Sequence, residues 1–351
     1  MMSRQSPVAP ADASAISGGS APPLLSVVFS FRNEEETLPE LIDRTTAMLR
    51  SLEDAGELSG SEIIFVDDDS VDRSAAIIRE RADRDPRIRM VTTSRRFGVS
   101  PCVLAGMQYA VGDAVVYLDA DLQDPPELIP ELVRAWRSGG DVDVVHTQRT
   151  ARDGETWLKL SITRLGYFLL QRLSSIPIHR EVGDFKLLSR RAVDHLLQLK
   201  EANPFLRGLV SWIGFKQVIV PYERHERFAG VTKFPILDSK VIANFLNSAL
   251  ISFSDAPLKL SLGLGVITFV MAAAYAVFMV IAKFCGMTVP GYAALTIILL
   301  VSLSLQAIFH GVAGLYLYAI FLETKNRPRY LIRETFGFED GRRAGNGREK
   351  R

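Results

Sequence analysis

Residues 114–127 read AVVYLDADLQDPPE, and this segment contains the pattern from which the fold class is predicted. A short apolar run, the length of a buried strand, leads directly into a cluster of carboxylates and then into a proline pair that opens a helix. The same design occurs upstream, where LLSVVFSF at 24–31 precedes Asn33 and Glu34 and EIIFV at 62–66 precedes three aspartates. Strands that alternate with helices in this way are typical of an α/β domain.

We therefore predict an α/β fold with an open, largely parallel sheet and helices on both faces. The other periodic segments predict strands at 87–91, 142–147 and 215–222, and helices at 38–49, 74–84, 100–110, 158–173 and 190–199. Sheets of this kind bind ligands in a crevice at the carboxyl ends of their strands. The polar clusters that follow three of the strands should therefore surround one crevice.

Composition excludes some functions. The 351 residues carry a formal net charge of +1. The chain therefore lacks the overall basic excess that would indicate a nucleic-acid partner. The two cysteines, Cys102 and Cys285, lie far apart and give neither a metal-ligand spacing nor a disulfide framework.

Two apolar segments near the C-terminus, 258–282 and 293–322, each exceed the roughly 20 residues that cross a bilayer. Because the link between them is short, they should form a transmembrane hairpin with both ends on one side. The basic residues that follow place that side in the cytoplasm, at the inner or plasma membrane: Lys325, Arg327, Arg329 and Arg333. Small residues in the first span, including Gly263 and Gly265, would allow packing into a homo-oligomer.

The predicted organisation is a disordered lead-in at 1–22, a catalytic domain at 23–234, an amphipathic helix at 235–257, the hairpin at 258–322 and a basic tail at 323–351. The amphipathic helix could lie in the membrane interface or pack against the sheet domain.

Asp119 and Asp121, two residues apart at a strand end, can both reach one hard divalent cation, and Gln123 offers a further oxygen. Mg²⁺ or Mn²⁺ held there would bridge a diphosphate. The alternative is that these acidic residues simply end a strand in solvent. The carboxylates at 67–69 could likewise accept hydrogen bonds from a base or ribose, or could cap the following helix.

These motifs occur in the order seen in family 2 glycosyltransferases of GT-A fold, and the chain resembles the branch that includes dolichol-phosphate mannose synthases and bactoprenol glucosyltransferases. The resemblance covers about residues 24–325 and includes the segments 96–98, 104–106, 183–189, 203–209, 212–215 and 227–234. It implies a Rossmann-like mixed sheet. Asp69 stands where the family commonly has a glycine.

The resemblance also implies roles for individual residues. The metal would be bound by Asp119, Asp121 and Gln123, and the reaction would be served by Asp121, Asp184 and Arg207. The donor would be bound by Asn33, Glu35, Asp68, Asp69, Asp119 and Arg149. The acceptor phosphate would be bound by Arg227 and Lys233, although these two cations could instead attract anionic lipids.

The implied reaction is an inverting transfer of a sugar from a UDP- or GDP-linked donor to a polyprenyl phosphate, which would be undecaprenyl phosphate in a bacterial chain. The alternatives are a catalytically inactive membrane scaffold and a glycosyltransferase with a non-lipid acceptor.

Overall fold

The computed structural model describes residues 21–138, 140–149, 182–222, 256–286 and 291–338. These residues divide into two compact units. The first unit contains the described residues up to 222 together with 328–338, and the second contains those between 256 and 327.

The first unit is built on one mixed sheet. In chain order its strands are β1 (Leu24–Phe31), β2 (Gly60–Asp67), β3 (Ile88–Thr93), β4 (Ala114–Asp119), β5 (Val144–Arg149), β6 (Val182–Ser189), β7 (Gln217–Tyr222) and β8 (Ile332–Phe336). Their order across the sheet is β7-β5-β6-β4-β1-β2-β3-β8. Neighbours among β1 to β4 pair in parallel, as do β5 and β7, whereas β6 and β8 run antiparallel to their neighbours. The predicted mixed sheet is confirmed. Fewer of its strand pairs are parallel than the alternation of strands and helices in the sequence indicated.

Strand β6 was not predicted, although it lies in the middle of the sheet between β4 and β5. Its sequence, VGDFKLLS, places Asp184 and Lys186 inside what would otherwise be an apolar run. These charged residues hide the strand from a hydrophobicity pattern. Leu187 nevertheless pairs with Val116 of β4 on one side and Val145 of β5 on the other.

Helices cover both faces of the sheet: α1 (Leu38–Asp54), α2 (Ser74–Ala82), α3 (Val99–Tyr109), α4 (Ile129–Ser138), α5 (Arg190–Gln198) and α6 (Leu206–Trp212). Alternation along β1 sends Val27 and Phe29 to one face and Val28 to the other. On the first face, Val27 and Phe29 share a buried cluster with Leu38 of α1. On the second, a Cβ added to Gly106 of α3 would come within 2.3 Å of a Val28 methyl group. Glycine at 106 therefore allows α3 to lie close against the sheet.

Part of the stretch predicted to be a basic tail folds into the sheet. Strand β8 pairs with β3, with Met90 opposite Phe336 and Val91 opposite Thr335. An ion pair between Arg79 of α2 and Glu334 also joins the strand to the unit. The strand is short and rich in charge, so its sequence alone gave no sign of this distant pairing.

The second unit contains two long helices, α7 (Ala256–Phe284) and α8 (Tyr292–Thr324). Among the described residues, Val301–Thr324 of α8 is long and apolar enough to cross a membrane, and α7 holds a shorter apolar stretch, Gly263–Tyr275. One candidate span is thus found where two were predicted, and the two-helix hairpin stays a prediction.

Some predictions lie outside the described residues. These are the lead-in up to residue 20, the helix at 158–173, the amphipathic segment up to residue 255, and the tail beyond residue 338.

Candidate functional site

The carboxyl ends of β1, β2 and β4 meet at one edge of the sheet. Parallel register sets Phe31 opposite Asp67 and Ser30 opposite Asp119. The turns that follow these strands, at 32–37, 68–73 and 120–125, therefore begin side by side. We refer to these three turns and the strand-end residues Asp67 and Asp119 as the carboxyl edge.

The turns after β1 and β2 are joined by hydrogen bonds. The Asn33 N–H donates to Ser70 Oγ at 3.0 Å, and the Val71 N–H donates to Asn33 Oδ1 at 2.9 Å. The Arg73 N–H donates to Glu35 Oε2 at 2.9 Å. Asn33 has a φ of 54°, a left-handed conformation that asparagine tolerates better than most residues. Side-chain oxygens of Asn33 and Glu35 thus hold the two turns together, and their donor-binding role stays a prediction.

Asp68 and Asp69 also make contacts within the protein. The Phe97 and Gly98 N–H groups donate to the two oxygens of Asp68 at 2.6 and 3.0 Å, which fixes the loop between β3 and α3. Asp69 Oδ1 accepts a hydrogen bond from the Arg333 guanidinium at 3.0 Å. The Asp68 carboxylate therefore braces the loop beside the crevice, whereas the Asp69 carboxylate reaches the C-terminal strand.

Asp67, the first of the three aspartates, is fully buried. Its Oδ1 accepts a hydrogen bond from the Ser70 N–H at 2.8 Å, whereas Oδ2 has no hydrogen-bond partner among the described residues. Burial raises the pKa of Asp67, while the Ser70 hydrogen bonds oppose the rise. A buried carboxylate oxygen without a hydrogen-bond donor is costly in free energy, which accords with the raised pKa of Asp67. The sequence places Asp67 among three candidate carboxylates at 67–69, but three consecutive aspartates do not reveal which of them the fold buries most deeply.

Carboxylates gather around the end of β4. Burial, followed by the nearby carboxylates of Asp184, Asp121 and Asp124, raises the pKa of Asp119 to about 7. The Arg207 guanidinium donates two hydrogen bonds to Asp184, one of them from Nε to Oδ1 at 2.7 Å. The structure therefore brings together Asp119, Asp121, Asp184 and Arg207, which the sequence analysis named for metal binding and catalysis.

The turn after β4 has an unusual backbone. Leu122 has a φ of 56°, which a bulky residue rarely adopts and which costs free energy. The Gln123 N–H donates to Asp121 Oδ1 at 3.2 Å, and the buried Tyr222 hydroxyl donates to Asp124 Oδ1. These contacts hold the turn in place.

The oxygen-rich group at the end of β4 suits a hard divalent cation. The raised pKa of Asp119 reflects burial and repulsion between carboxylates, and a bound cation would relieve that repulsion. Within the parts of the chain that the structure describes, no three His, Cys, Asp or Glu side chains are already arranged as a metal site. Metal binding by Asp119, Asp121 and Gln123 therefore stays a prediction that the chemistry of these residues supports.

Two buried polar residues next to this group were missed by the sequence analysis. Lys186 of β6 is opposite Tyr117 of β4 and, being two residues from Asp184, shares its face of the sheet. Burial lowers the pKa of Lys186 to about 7, while Asp184 opposes this change. The Tyr117 hydroxyl is buried and has no hydrogen-bond partner among the described residues. The feature of the sequence that could have indicated Lys186 is a lysine within an otherwise apolar segment.

The remaining predicted residues are less well defined. Arg149 is the last residue of β5, opposite Tyr222 of β7, and only its backbone position is described. Arg227 and Lys233, the predicted ligands of the acceptor phosphate, lie outside the described residues.

Comparison with known proteins agrees with this arrangement. The sequence profile of glycosyl transferase family 2 matches residues 26–197. The chain is 38% identical to the uncharacterized glycosyltransferase YkcC of Bacillus subtilis over 90% of this chain and 95% of the relative. It is 35% identical to the prophage bactoprenol glucosyl transferase homolog of Escherichia coli and to the bactoprenol glucosyl transferase of Shigella phage SfX, in both cases over 88% of this chain and 98% of the relative.

Among solved structures, glucosyl-3-phosphoglycerate synthase from Mycobacterium tuberculosis aligns at 23% identity and a TM-score of 0.43, over 65% of this chain and 80% of that chain. This likeness is too distant to bear on function. The sequence relatives are much closer and extend over nearly their whole length. The chain therefore belongs to glycosyl transferase family 2 and is a glycosyltransferase.

Proposed function

We propose that the enzyme transfers a sugar from a UDP- or GDP-linked donor to a polyprenyl phosphate, with undecaprenyl phosphate as the first acceptor to test. The observation that carries the proposal is the group of carboxylates around Asp119 at the carboxyl edge. Two relatives that match this chain over nearly their whole length are named as a bactoprenol glucosyl transferase and a homolog of one.

The donor would extend along the carboxyl edge. Its base or ribose would lie near the turn after β2, which holds the predicted donor-binding residues Asp68 and Asp69. Its diphosphate would lie near the end of β4, because Asp119 and Asp121 stand there. The turn at 32–37 lies between them, since β1 separates β2 from β4 in the sheet.

The metal, Mg²⁺ or Mn²⁺, is assigned to Asp119, Asp121 and Gln123. When bound, such a cation neutralises the negative charge that develops on a departing diphosphate. Arg207 holds the Asp184 carboxylate by two hydrogen bonds and so restricts its orientation beside Asp119. We assign to Asp184 the task of orienting the reacting groups.

The acceptor would not need a strong general base. The second pKa of a phosphate monoester is near 6, so the acceptor is already largely a dianion at neutral pH. A single in-line displacement would then invert the configuration at the anomeric carbon, with positioning as the main contribution of the protein. Arg227 and Lys233 are assigned to the acceptor phosphate.

Chain connectivity supports a two-pass membrane anchor. Residues on both sides of the helical segment fold into the first unit, because β8 pairs with β3. In a membrane-anchored chain, both ends of the helical segment would then lie on the side of the membrane that holds this unit, which corresponds to an even number of crossings. The cations after α8 favour the cytoplasmic side.

The proposal is tested with the full chain in detergent. Radiolabelled UDP- and GDP-sugars are supplied with undecaprenyl phosphate, with and without Mn²⁺ or Mg²⁺, and label is measured in the lipid phase. Metal-dependent labelling from one donor supports the proposal and identifies the sugar. Binding of a nucleotide sugar without labelling of lipid would favour a non-lipid acceptor or a scaffold.

Mn²⁺ is expected to raise the melting temperature of the full chain more at pH 8 than at pH 6. The pKa of Asp119 is raised to about 7, so at pH 6 a proton competes with the metal and at pH 8 it has largely left. The metal-free protein should also lose stability as the pH rises from about 4 to 7, because the folded state retains a proton that the unfolded state has released. Thermal unfolding at both pH values, with Asp121→Asn as the control, checks this. Equal shifts at the two pH values would contradict it.

Lys186→Met is expected to lower transfer by at least about ten-fold while leaving the melting temperature unchanged or higher. A buried amino group costs free energy to remove from water, and methionine fills similar space without that group. A chain that retains this cost beside Asp184 is expected to use the amino group, whose pKa is lowered to about 7, in its function. Parallel measurements of transfer rate and thermal unfolding check the prediction, and a large loss of stability would show that the lysine serves the fold instead.

A further inference from the structure

The strand that follows the apolar helices reaches the carboxyl edge. Since β8 runs antiparallel to β3, its first residue, Ile332, lies opposite Thr93 at the end of β3. The Ser94 N–H donates to the Leu331 carbonyl at 2.8 Å, which extends the contact beyond the strand end. The start of β8 is therefore beside the turns that follow β2 and β3.

Arg333 makes the contact between this strand and the turn after β2. Its guanidinium is 3.0 Å from Asp69 Oδ1, and it also acts to lower the pKa of the neighbouring Asp67. Asp69 has a φ of 60°, in the left-handed region where glycine is strain-free. A charged side chain thus stands in a conformation that favours glycine, and the charge is paired with Arg333.

Other contacts attach β8 to the unit without Arg333. Glu334 pairs with Arg79, and the Arg329 guanidinium donates to the Leu197 carbonyl at 3.2 Å. The ring of Phe338 lies 5.4 Å from the Arg89 guanidinium carbon. Because these contacts are distributed along the segment, a change at Arg333 should alter the turn after β2 and leave the strand paired.

We infer that Arg333 is a positioning residue of the donor site, which acts by holding Asp69 and thereby the turn at 67–70 in the conformation that receives the nucleoside. The inference rests on the proposed function, in which a nucleoside diphosphate extends along the carboxyl edge. In the sheet order, β8 is separated from β2 by β3 and from β4 by three strands, so Arg333 serves the nucleoside end of the donor. The segment beyond the membrane helices is then part of donor recognition.

The test uses the full chain in detergent, with UDP and GDP in the presence of Mn²⁺ as probes and calorimetry as the readout. Arg333→Gln is expected to weaken binding of the preferred nucleotide about five-fold, the effect of losing a partly exposed ion pair. Arg333→Lys should stay within about two-fold of wild type because it keeps the charge. Glu334→Gln, which alters the same strand away from Asp69, is the matched control and should bind like wild type.

A second pair of variants, made in a chain that carries Asp69→Gly, tests whether Arg333 acts through Asp69. In Asp69→Gly the turn no longer contains a strained, charged residue, so adding Arg333→Gln should change the affinity by less than about two-fold. A full five-fold loss in this background would show that Arg333 does not act through Asp69 and would overturn the inference. Equal nucleotide affinity of wild type and Arg333→Gln would also overturn it, without touching the proposed function. If wild type binds neither nucleotide, the proposed function fails and this inference fails with it.

Discussion

Asp121→Asn is expected to reduce sugar transfer by about a thousand-fold, the result of losing a metal ligand that supplies several kcal/mol of charge stabilisation. The side chain keeps its size and one oxygen, and it loses the charge that attracts a hard cation. Asp121 is also one of the carboxylates that raise the pKa of Asp119. The variant should therefore lower the pKa of Asp119 and leave the fold intact.

The measurement is initial transfer rate against Mn²⁺ concentration, beside thermal unfolding of the same samples. Asp54→Asn is a matched control, since Asp54 is an exposed residue at the end of α1, away from the carboxyl edge. The control should keep wild-type activity and stability. If Asp121→Asn retained more than about a tenth of the activity at saturating Mn²⁺, Asp121 would not be a required metal ligand.

Glu62→Ala is expected to destabilise the first unit by about 3 to 5 kcal/mol, because it removes one member of a buried charge pair. Glu62 is 3% exposed. Its carboxylate accepts hydrogen bonds from Ser26 Oγ at 2.6 Å, from the Val111 N–H at 2.7 Å and from the Arg89 guanidinium. The substitution leaves a largely buried guanidinium and a backbone N–H without this partner. It also removes the bridge between β1, β2 and the turn that precedes β4.

For a unit of this size, the loss corresponds to a fall in melting temperature of about 10 °C. Glu80→Ala is the control, since Glu80 of α2 pairs with Arg84 just beyond the end of that helix, and an exposed ion pair of this kind contributes less than about 1 kcal/mol. Thermal unfolding of the three proteins in detergent compares them directly. A change at Glu62 no larger than that at Glu80 would show that the buried network is not a main source of stability.

The strands that apolar runs define could be predicted from the sequence, and β1 is found at the predicted residues, Leu24–Phe31. Strands β6 and β8 could not be predicted, because charged residues interrupt the first and the second depends on pairing with a strand more than two hundred residues earlier. Local patterns carry no information about such distant pairing. The sheet order that inserts β6 between β4 and β5 is for the same reason a tertiary result.

At the candidate site, the residue types that gather after the strands could be predicted from residue order, because parallel strands bring their carboxyl ends to one edge. The contacts that each of these residues makes depend on the packed fold. Asp67 is fully buried at the end of β2, Asp68 braces a loop, and Asp69 pairs with a residue from the other end of the chain. Burial and long-range charge pairs depend on the packed fold, so the chemistry of the site could be predicted from residue order, whereas the state of each carboxylate could not.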